Sequence, residues 1–117
     1  MSYIPNGEYY IMNIINAGRA FYDKKNKDLG ICTNSMLPDQ IWSVKFSGNY
    51  YSIGREGQFL QYDGEKVRMS DMEQDNTFWS LIEVPETVGF YRLFNKSLPA
   101  YLTYVGAELT AMPKVIE

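Results

Sequence analysis

The chain has 117 residues, of which 45% are hydrophobic and 21% charged, so it fits one folded domain and not a disordered segment. A formal net charge of -3 argues against nucleic acid as a partner, because tracking phosphates requires clustered Lys and Arg. No apolar run approaches the roughly 20 residues of a membrane span, and the first residues lack the pattern of a secretory signal. Because Cys32 is the only cysteine, no internal disulfide can form, and we expect a cytoplasmic protein.

Short strand patterns recur three times along the chain, with a period of about 40 residues. The copies begin at Tyr9, Tyr51 and Tyr91, each opening a Tyr-x-Ile/Leu segment in which alternate side chains face one side of a strand. A tryptophan begins the last strand of the first two copies, at Trp42 and Trp79. The predicted strands are 9–13, 20–22, 30–33, 42–46, 51–55, 59–62, 66–69, 79–82, 91–95, 101–104 and 108–111.

Four short strands per copy, repeated three times, are typical of a β-trefoil, in which six strands close a barrel and three hairpins cap it. We therefore predict an all-β trefoil in one domain, 1–117, with repeats at about 7–47, 48–88 and 89–117. The third repeat is shortened and has no tryptophan. Either the tail, with Val115 and Ile116, supplies a last strand, or a homodimer covers the open edge; we favour the tail.

Catalysis has little support in the composition. The chain has no histidine, which is the commonest general base and metal ligand, and a single cysteine cannot assemble a zinc site. We predict that the protein is not an enzyme and has no metal or cofactor.

A Gln-x-Trp motif at Gln40-Ile41-Trp42 resembles that of the ricin-B-type lectins; the second copy, Thr77-Phe78-Trp79, has lost the glutamine. The resemblance implies the trefoil fold, and a sugar site with an aspartate directly after the leucine of a second strand, beside a stacking aromatic. The matching positions are Tyr22, Gln61 and Thr103, none of which is aspartate.

Two neighbouring pairs remain candidates for a sugar site: Tyr22 with Asp23, and Tyr62 with Asp63. Aromatic faces stack on sugars and carboxylates accept hydrogen bonds from their hydroxyls. The alternative interpretation is that both aspartates simply begin turns.

The opening Pro5-Asn6-Gly7-Glu8-Tyr9-Tyr10-Ile11 and the Trp42-Ser43-Val44 and Trp79-Ser80-Leu81 strands also resemble the fungal trefoil protease inhibitors of the cospin and mycocypin types. That resemblance implies a non-enzymatic domain that binds a protease through loops on a rigid barrel.

Our first functional hypothesis is therefore a protease inhibitor. Its candidate contact residues lie in two loops: Asn16, Gly18 and Arg19, and then Asn95 and Lys96. An exposed Arg19 would suit the acidic pocket of a trypsin-like protease. The alternatives are a carbohydrate-binding lectin, whose partner is a glycan, and a structural or assembly protein that uses an open strand edge.

Overall fold

Alternating apolar and polar residues give an all-β chain, as predicted. The computed structural model describes residues 4–12, 18–32, 38–85, 91–98, 100–105 and 108–112. In these ranges there are two 3₁₀ helices, Pro38–Gln40 and Asp75–Thr77, and no helix long and apolar enough to cross a membrane. The strands of the described ranges are β1 (Gly7–Tyr10), β2 (Arg19–Asp23), β3 (Asp28–Cys32), β4 (Ile41–Ser47), β5 (Tyr50–Arg55), β6 (Gln58–Tyr62), β7 (Val67–Ser70), β8 (Phe78–Glu83), β9 (Tyr91–Asn95), β10 (Tyr101–Val105) and β11 (Glu108–Met112).

The strands pair as a trefoil requires. The barrel wall is formed by antiparallel strands that pair in the order β1, β4, β5, β8 and β9. The hairpins β2–β3, β6–β7 and β10–β11 supply one cap for each repeat. The prediction of a β-trefoil is confirmed. The predicted closing strand at Val115 and Ile116 lies outside the described residues, and it stays a prediction.

Two tryptophans occupy the centre of the core, both with 0% exposure. Their indole N–H groups, which need a partner once buried, donate to hairpin carbonyls in the same way. Trp42 bonds the carbonyl of Ala20 at 3.0 Å, and Trp79 bonds the carbonyl of Leu60 at 3.1 Å. These bonds make Ala20 equivalent to Leu60, so that Tyr22 corresponds to Tyr62 and not to Gln61.

The lost glutamine of the second repeat is replaced by a local arrangement. Gln40 is 1% exposed, and Thr77 at the equivalent position is fully buried. The Thr77 hydroxyl donates to the Gln74 carbonyl at 2.8 Å and accepts the Gln74 N–H at 3.0 Å. A short hydroxyl therefore satisfies the backbone of the second 3₁₀ helix.

The segment before β1 is attached to the barrel by Tyr51. Its buried hydroxyl donates to the Ile4 carbonyl at 2.9 Å and accepts the Ile4 N–H at 2.8 Å. The side chain of Asn6 also accepts the Phe46 N–H, at 2.7 Å. These contacts fix the start of the chain across β4 and β5.

We expect Tyr51→Phe to lower the free energy of unfolding by about 1–3 kcal/mol, because it removes both bonds to Ile4 and leaves part-buried backbone groups without a partner. Tyr50→Phe is the matched control, since no hydrogen bond of the Tyr50 hydroxyl is found within the described residues; its effect should stay within about 0.5 kcal/mol. Urea unfolding measures both. Equal stability of the two variants would contradict this role of Tyr51.

Gly54 in β5 has no room for a side chain. A Cβ there would lie 2.5 Å from the Gln58 carbonyl oxygen across the hairpin. Gly54→Ala should therefore cost about 1–3 kcal/mol of stability, as overpacking does. Gly7→Ala, where the nearest atom is an ordinary 3.5 Å away, is the control and should be neutral or slightly stabilising in the same denaturation experiment. A loss in both variants would show that the close approach at Gly54 is not the cause.

Candidate functional site

A cleft of about 440 Å³, here called the first cleft, lies where three separate segments meet. They are the tip of the β2–β3 hairpin, the first 3₁₀ helix and the turn between β5 and β6. Its lining contains both charges and one aromatic residue: Tyr22, Asp23, Lys24, Lys25, Asp39, Arg55 and Glu56. Three carboxylates and three cations balance, so the charged side chains of the lining carry no net charge.

Tyr22 forms one wall of the first cleft, and only 5% of it is exposed. Its hydroxyl donates to Oε1 of Gln58 at 2.6 Å, and Nε2 of Gln58 donates to Asp71 at 2.8 Å. Burial raises the pKa of Tyr22, and the negative charges of Asp71 and Asp23 raise it further. The phenol therefore remains protonated well into the alkaline range.

Asp23 begins the hairpin turn, as the alternative interpretation held. Its carboxylate accepts hydrogen bonds from the Asn26 side chain at 2.6 Å and from the Lys25 and Asn26 backbone at 3.1 and 3.4 Å. The side-chain bond from Asn26 is the main cause that lowers the pKa of Asp23. Most of the accepting capacity of this carboxylate is therefore used within its own turn.

Asp39, in the first 3₁₀ helix, differs from Asp23. Its Oδ1 is buried and accepts no hydrogen bond from any residue that the structure describes. The nearby cations have other partners: Arg55 donates to the Ile41 carbonyl at 2.9 Å and pairs with the Glu56 carboxylate at 3.5 Å, and Lys24 donates to the Glu56 carbonyl at 3.1 Å. Asp39 is half-buried and lines the cleft, so a rotation of its side chain would present this acceptor to a ligand hydroxyl.

A second cleft, of about 520 Å³, lies at the equivalent place in the next repeat, between the second 3₁₀ helix and the turn after β9. Its lining is Gln74, Asp75, Asn76 and Ser97. Here two of the acceptor groups already have partners. The Asp75 carboxylate pairs with Lys96 at 3.2 Å, and Oδ1 of Asn76 accepts from Gln61 at 3.1 Å.

The pair Tyr62 and Asp63 lines neither of these two clefts. Asp63 accepts the N–H groups of Glu65 and Lys66, both at 2.9 Å, and these bonds lower its pKa. It also forms an ion pair with Arg68 at 2.8 Å. Tyr62 donates to the Gly64 carbonyl at 3.1 Å. Of the two pairs that the sequence indicated, only Tyr22 and Asp23 reach a described cleft.

The candidate protease contacts of the third repeat, Asn95 and Lys96, both have partners within the protein. Asn95 has 0% exposure, and its Oδ1 accepts the N–H groups of Ser97 and Leu98 at 3.0 and 3.1 Å. The Lys96 ammonium, besides its pairing with Asp75, lies 5.1 Å from the centre of the Tyr50 ring. Asn95 is therefore committed to its own turn, whereas Lys96 is exposed and contacts Asp75 and Tyr50.

The contacts proposed in the first repeat are also part of the scaffold. Arg19 begins β2, where it pairs with Cys32, and its guanidinium lies 5.9 Å from the centre of the Tyr10 ring. Gly18 is buried. Asn16 lies outside the described residues.

Sequence reasoning missed Asp39, Arg55 and Glu56 as cleft residues. One signal was present: Asp39 directly precedes Gln40 of the Gln-x-Trp motif, and that motif fixes it next to the core. Arg55 and Glu56 belong to the next repeat, and no local pattern connects them with Tyr22.

Comparison with known proteins identifies a relative that is similar over almost the whole chain. It is an R-type lectin of Mytilisepta virgata, described as binding GM1b and asialo-GM1 oligosaccharide; it is 58% identical over 113 residues, which are 95% of this chain and 88% of the relative. No family model matches. The structure of SeviL bound to asialo-GM1 saccharide superimposes with a TM-score of 0.91 at 56% identity, covering 95% of this chain and 90% of SeviL.

A more distant match concerns the fold alone. An endo-β-galactosidase of Clostridium perfringens gives a TM-score of 0.80 at 15% identity, and the matched part is 29% of that chain.

These findings overturn the hypothesis of a protease inhibitor, and the resemblance to the fungal inhibitors has no support in them. The physical reason is that Arg19 and Asn95 serve the packing of the trefoil and that Lys96 pairs with Asp75. The resemblance to the ricin-B-type lectins is confirmed, and so is the prediction that the chain is not an enzyme, since its close relatives are carbohydrate-binding proteins. The chain belongs to the R-type lectins, a family with the β-trefoil fold.

Proposed function

We propose that this protein is a lectin that binds an oligosaccharide of the asialo-GM1 type. The support is the 58% identity with a lectin described as binding GM1b and asialo-GM1 oligosaccharide, spread over 95% of the chain. The close superposition on a lectin bound to the asialo-GM1 saccharide supports the same proposal.

The first cleft is the proposed sugar site. Sugar hydroxyls both donate and accept hydrogen bonds, so a site that offers both kinds of group can bind several of them at once. The cleft offers carboxylate oxygens and, in Lys25, an exposed ammonium group. Hydrogen bonds to charged groups are stronger than those between neutral groups. A cleft with balanced charge suits an oligosaccharide without a net charge.

Asp39 is the reason for assigning the sugar to this cleft. Leaving a buried acceptor without a donor costs free energy, and a ligand hydroxyl that donates to it would recover that cost. In the second cleft the corresponding groups are occupied by Lys96 and Gln61, so a ligand would first have to displace them. We therefore assign the sugar to the first cleft.

Asp39→Ala should reduce the affinity for the asialo-GM1 oligosaccharide by about tenfold to 100-fold, the value of one or two hydrogen bonds to a charged group. The melting temperature should not fall, because the substitution removes an acceptor that lacks a partner. Isothermal titration calorimetry and thermal unfolding measure the two quantities.

Asp75→Ala is the matched control, because it removes a carboxylate from the second 3₁₀ helix. The affinity should stay within about twofold, since Asp75 does not line the first cleft. The fold should also be kept, since the exposed pair with Lys96 is worth at most about 1 kcal/mol of stability. If Asp75→Ala abolishes binding and Asp39→Ala does not, the sugar occupies the second cleft. If the unmodified protein shows no binding at millimolar oligosaccharide, the proposed function is wrong.

A further inference from the structure

The hydrogen-bond chain behind Tyr22 points to a role for the second repeat in the first cleft. We propose that Gln58 and Asp71 determine specificity there by fixing the Tyr22 hydroxyl as a hydrogen-bond acceptor towards the ligand. This inference rests on the proposed function, because it names residues that act on the same cleft.

The direction of each bond follows from the groups involved. A carboxylate has only acceptor oxygens, so the group of Gln58 that lies 2.8 Å from Asp71 must be its NH₂. The carbonyl oxygen of that amide then faces Tyr22 at 2.6 Å. An amide carbonyl only accepts, so the phenol must donate its single proton to Gln58.

The consequence for the cleft is chemical selectivity. With its proton committed to Gln58, the Tyr22 oxygen retains only lone pairs for a ligand. A ligand hydroxyl that donates is accepted, whereas a group that can only accept, such as an ether oxygen or a fluorine replacing that hydroxyl, is rejected. Burial keeps the phenol protonated, and so its single proton stays with Gln58.

The arrangement joins two repeats and is specific to this cleft. Tyr22 lies in the hairpin of the first repeat, while Gln58 begins β6 and Asp71 directly follows β7 in the second. The equivalent tyrosine, Tyr62, donates to the Gly64 carbonyl of its own turn. A bond to a neighbouring backbone group would have sufficed to satisfy the Tyr22 phenol as well, so the longer chain to Asp71 needs another explanation. Control of hydrogen-bond direction supplies one.

Asp71→Lys tests the proposal. The new ammonium can only donate, so it should bond the side-chain carbonyl of Gln58 and reverse the orientation of that amide. The NH₂ group of Gln58 then faces Tyr22. The affinity for the asialo-GM1 oligosaccharide, by calorimetry, should fall roughly threefold to tenfold, the value of one hydrogen bond. Glu73→Lys, an exposed site two residues away with the same change of charge, should alter it by less than about twofold.

The effect must pass through Tyr22. In a Tyr22→Phe background, Asp71→Lys should cause no further loss of affinity. In the free protein, the pKa of Tyr22, followed by the ¹³C shift of its Cζ, should fall more in Asp71→Lys than in Glu73→Lys, since the first variant removes both a nearby negative charge and the acceptor for the phenol proton.

The outcomes separate this inference from the proposed function. Equal affinities of Asp71→Lys and Glu73→Lys, or an undiminished loss in the Tyr22→Phe background, would overturn the assigned role of Asp71. If no oligosaccharide binds to the unmodified protein, the proposed function fails. An equal Tyr22 pKa in the two lysine variants then shows that the chain of bonds does not form, and it overturns the inference by a route that does not require sugar.

Discussion

The buried bonds between the tryptophan indoles and the hairpin carbonyls are the constraint on which the rest of the structure depends. Each places a wide ring in the barrel centre and connects the last strand of a repeat to the second strand of the same repeat. Because Trp42 follows the first 3₁₀ helix by two residues, its anchoring also fixes Asp39 against the hairpin that carries Tyr22. The anchoring of Trp42 in the core therefore also positions two segments that line the first cleft.

Carboxylates in this protein divide into those that build turns and those that are available to a ligand. Asp23 accepts hydrogen bonds from the Asn26 side chain and from the backbone of its hairpin turn, and Asp63 accepts them from the backbone of its own turn. These bonds lower the pKa of both carboxyls. The oxygens of these two carboxylates are therefore already occupied by hydrogen bonds of the turn when a ligand binds. Asp39 has no such commitment at Oδ1 among the described residues, and this difference makes it the better candidate for recognising a hydroxyl.

The repeats share a framework and differ in how they use equivalent positions. Arg55 and Asn95 end equivalent strands. Arg55 donates to the carbonyl of Ile41, directly after the first 3₁₀ helix, and Asn95 donates to the carbonyl of Asn76, within the second. Around Asn95, however, Lys96 pairs with the Asp75 carboxylate of the second cleft at 3.2 Å. Around Arg55 the neighbouring Glu56 is exposed, lines the first cleft and pairs with Arg55 at 3.5 Å. The two clefts therefore differ chiefly at Asp39, whose Oδ1 has no partner among the described residues.

The sequence by itself determined the strands, the three repeats and the trefoil, because alternation with a period of two and the spacing of Trp42 and Trp79 are local signals that survive divergence. It also indicated Tyr22 and Asp23, although it gave no means of ranking them above Tyr62 and Asp63. Only the tertiary structure decided that Tyr22, Asp39 and Glu56 meet in one cleft, since they come from three segments of two repeats. Burial decided which loop candidates are exposed. The sequence indicated Asn95 as a contact residue of a loop, but its side chain is buried and accepts hydrogen bonds from the following turn.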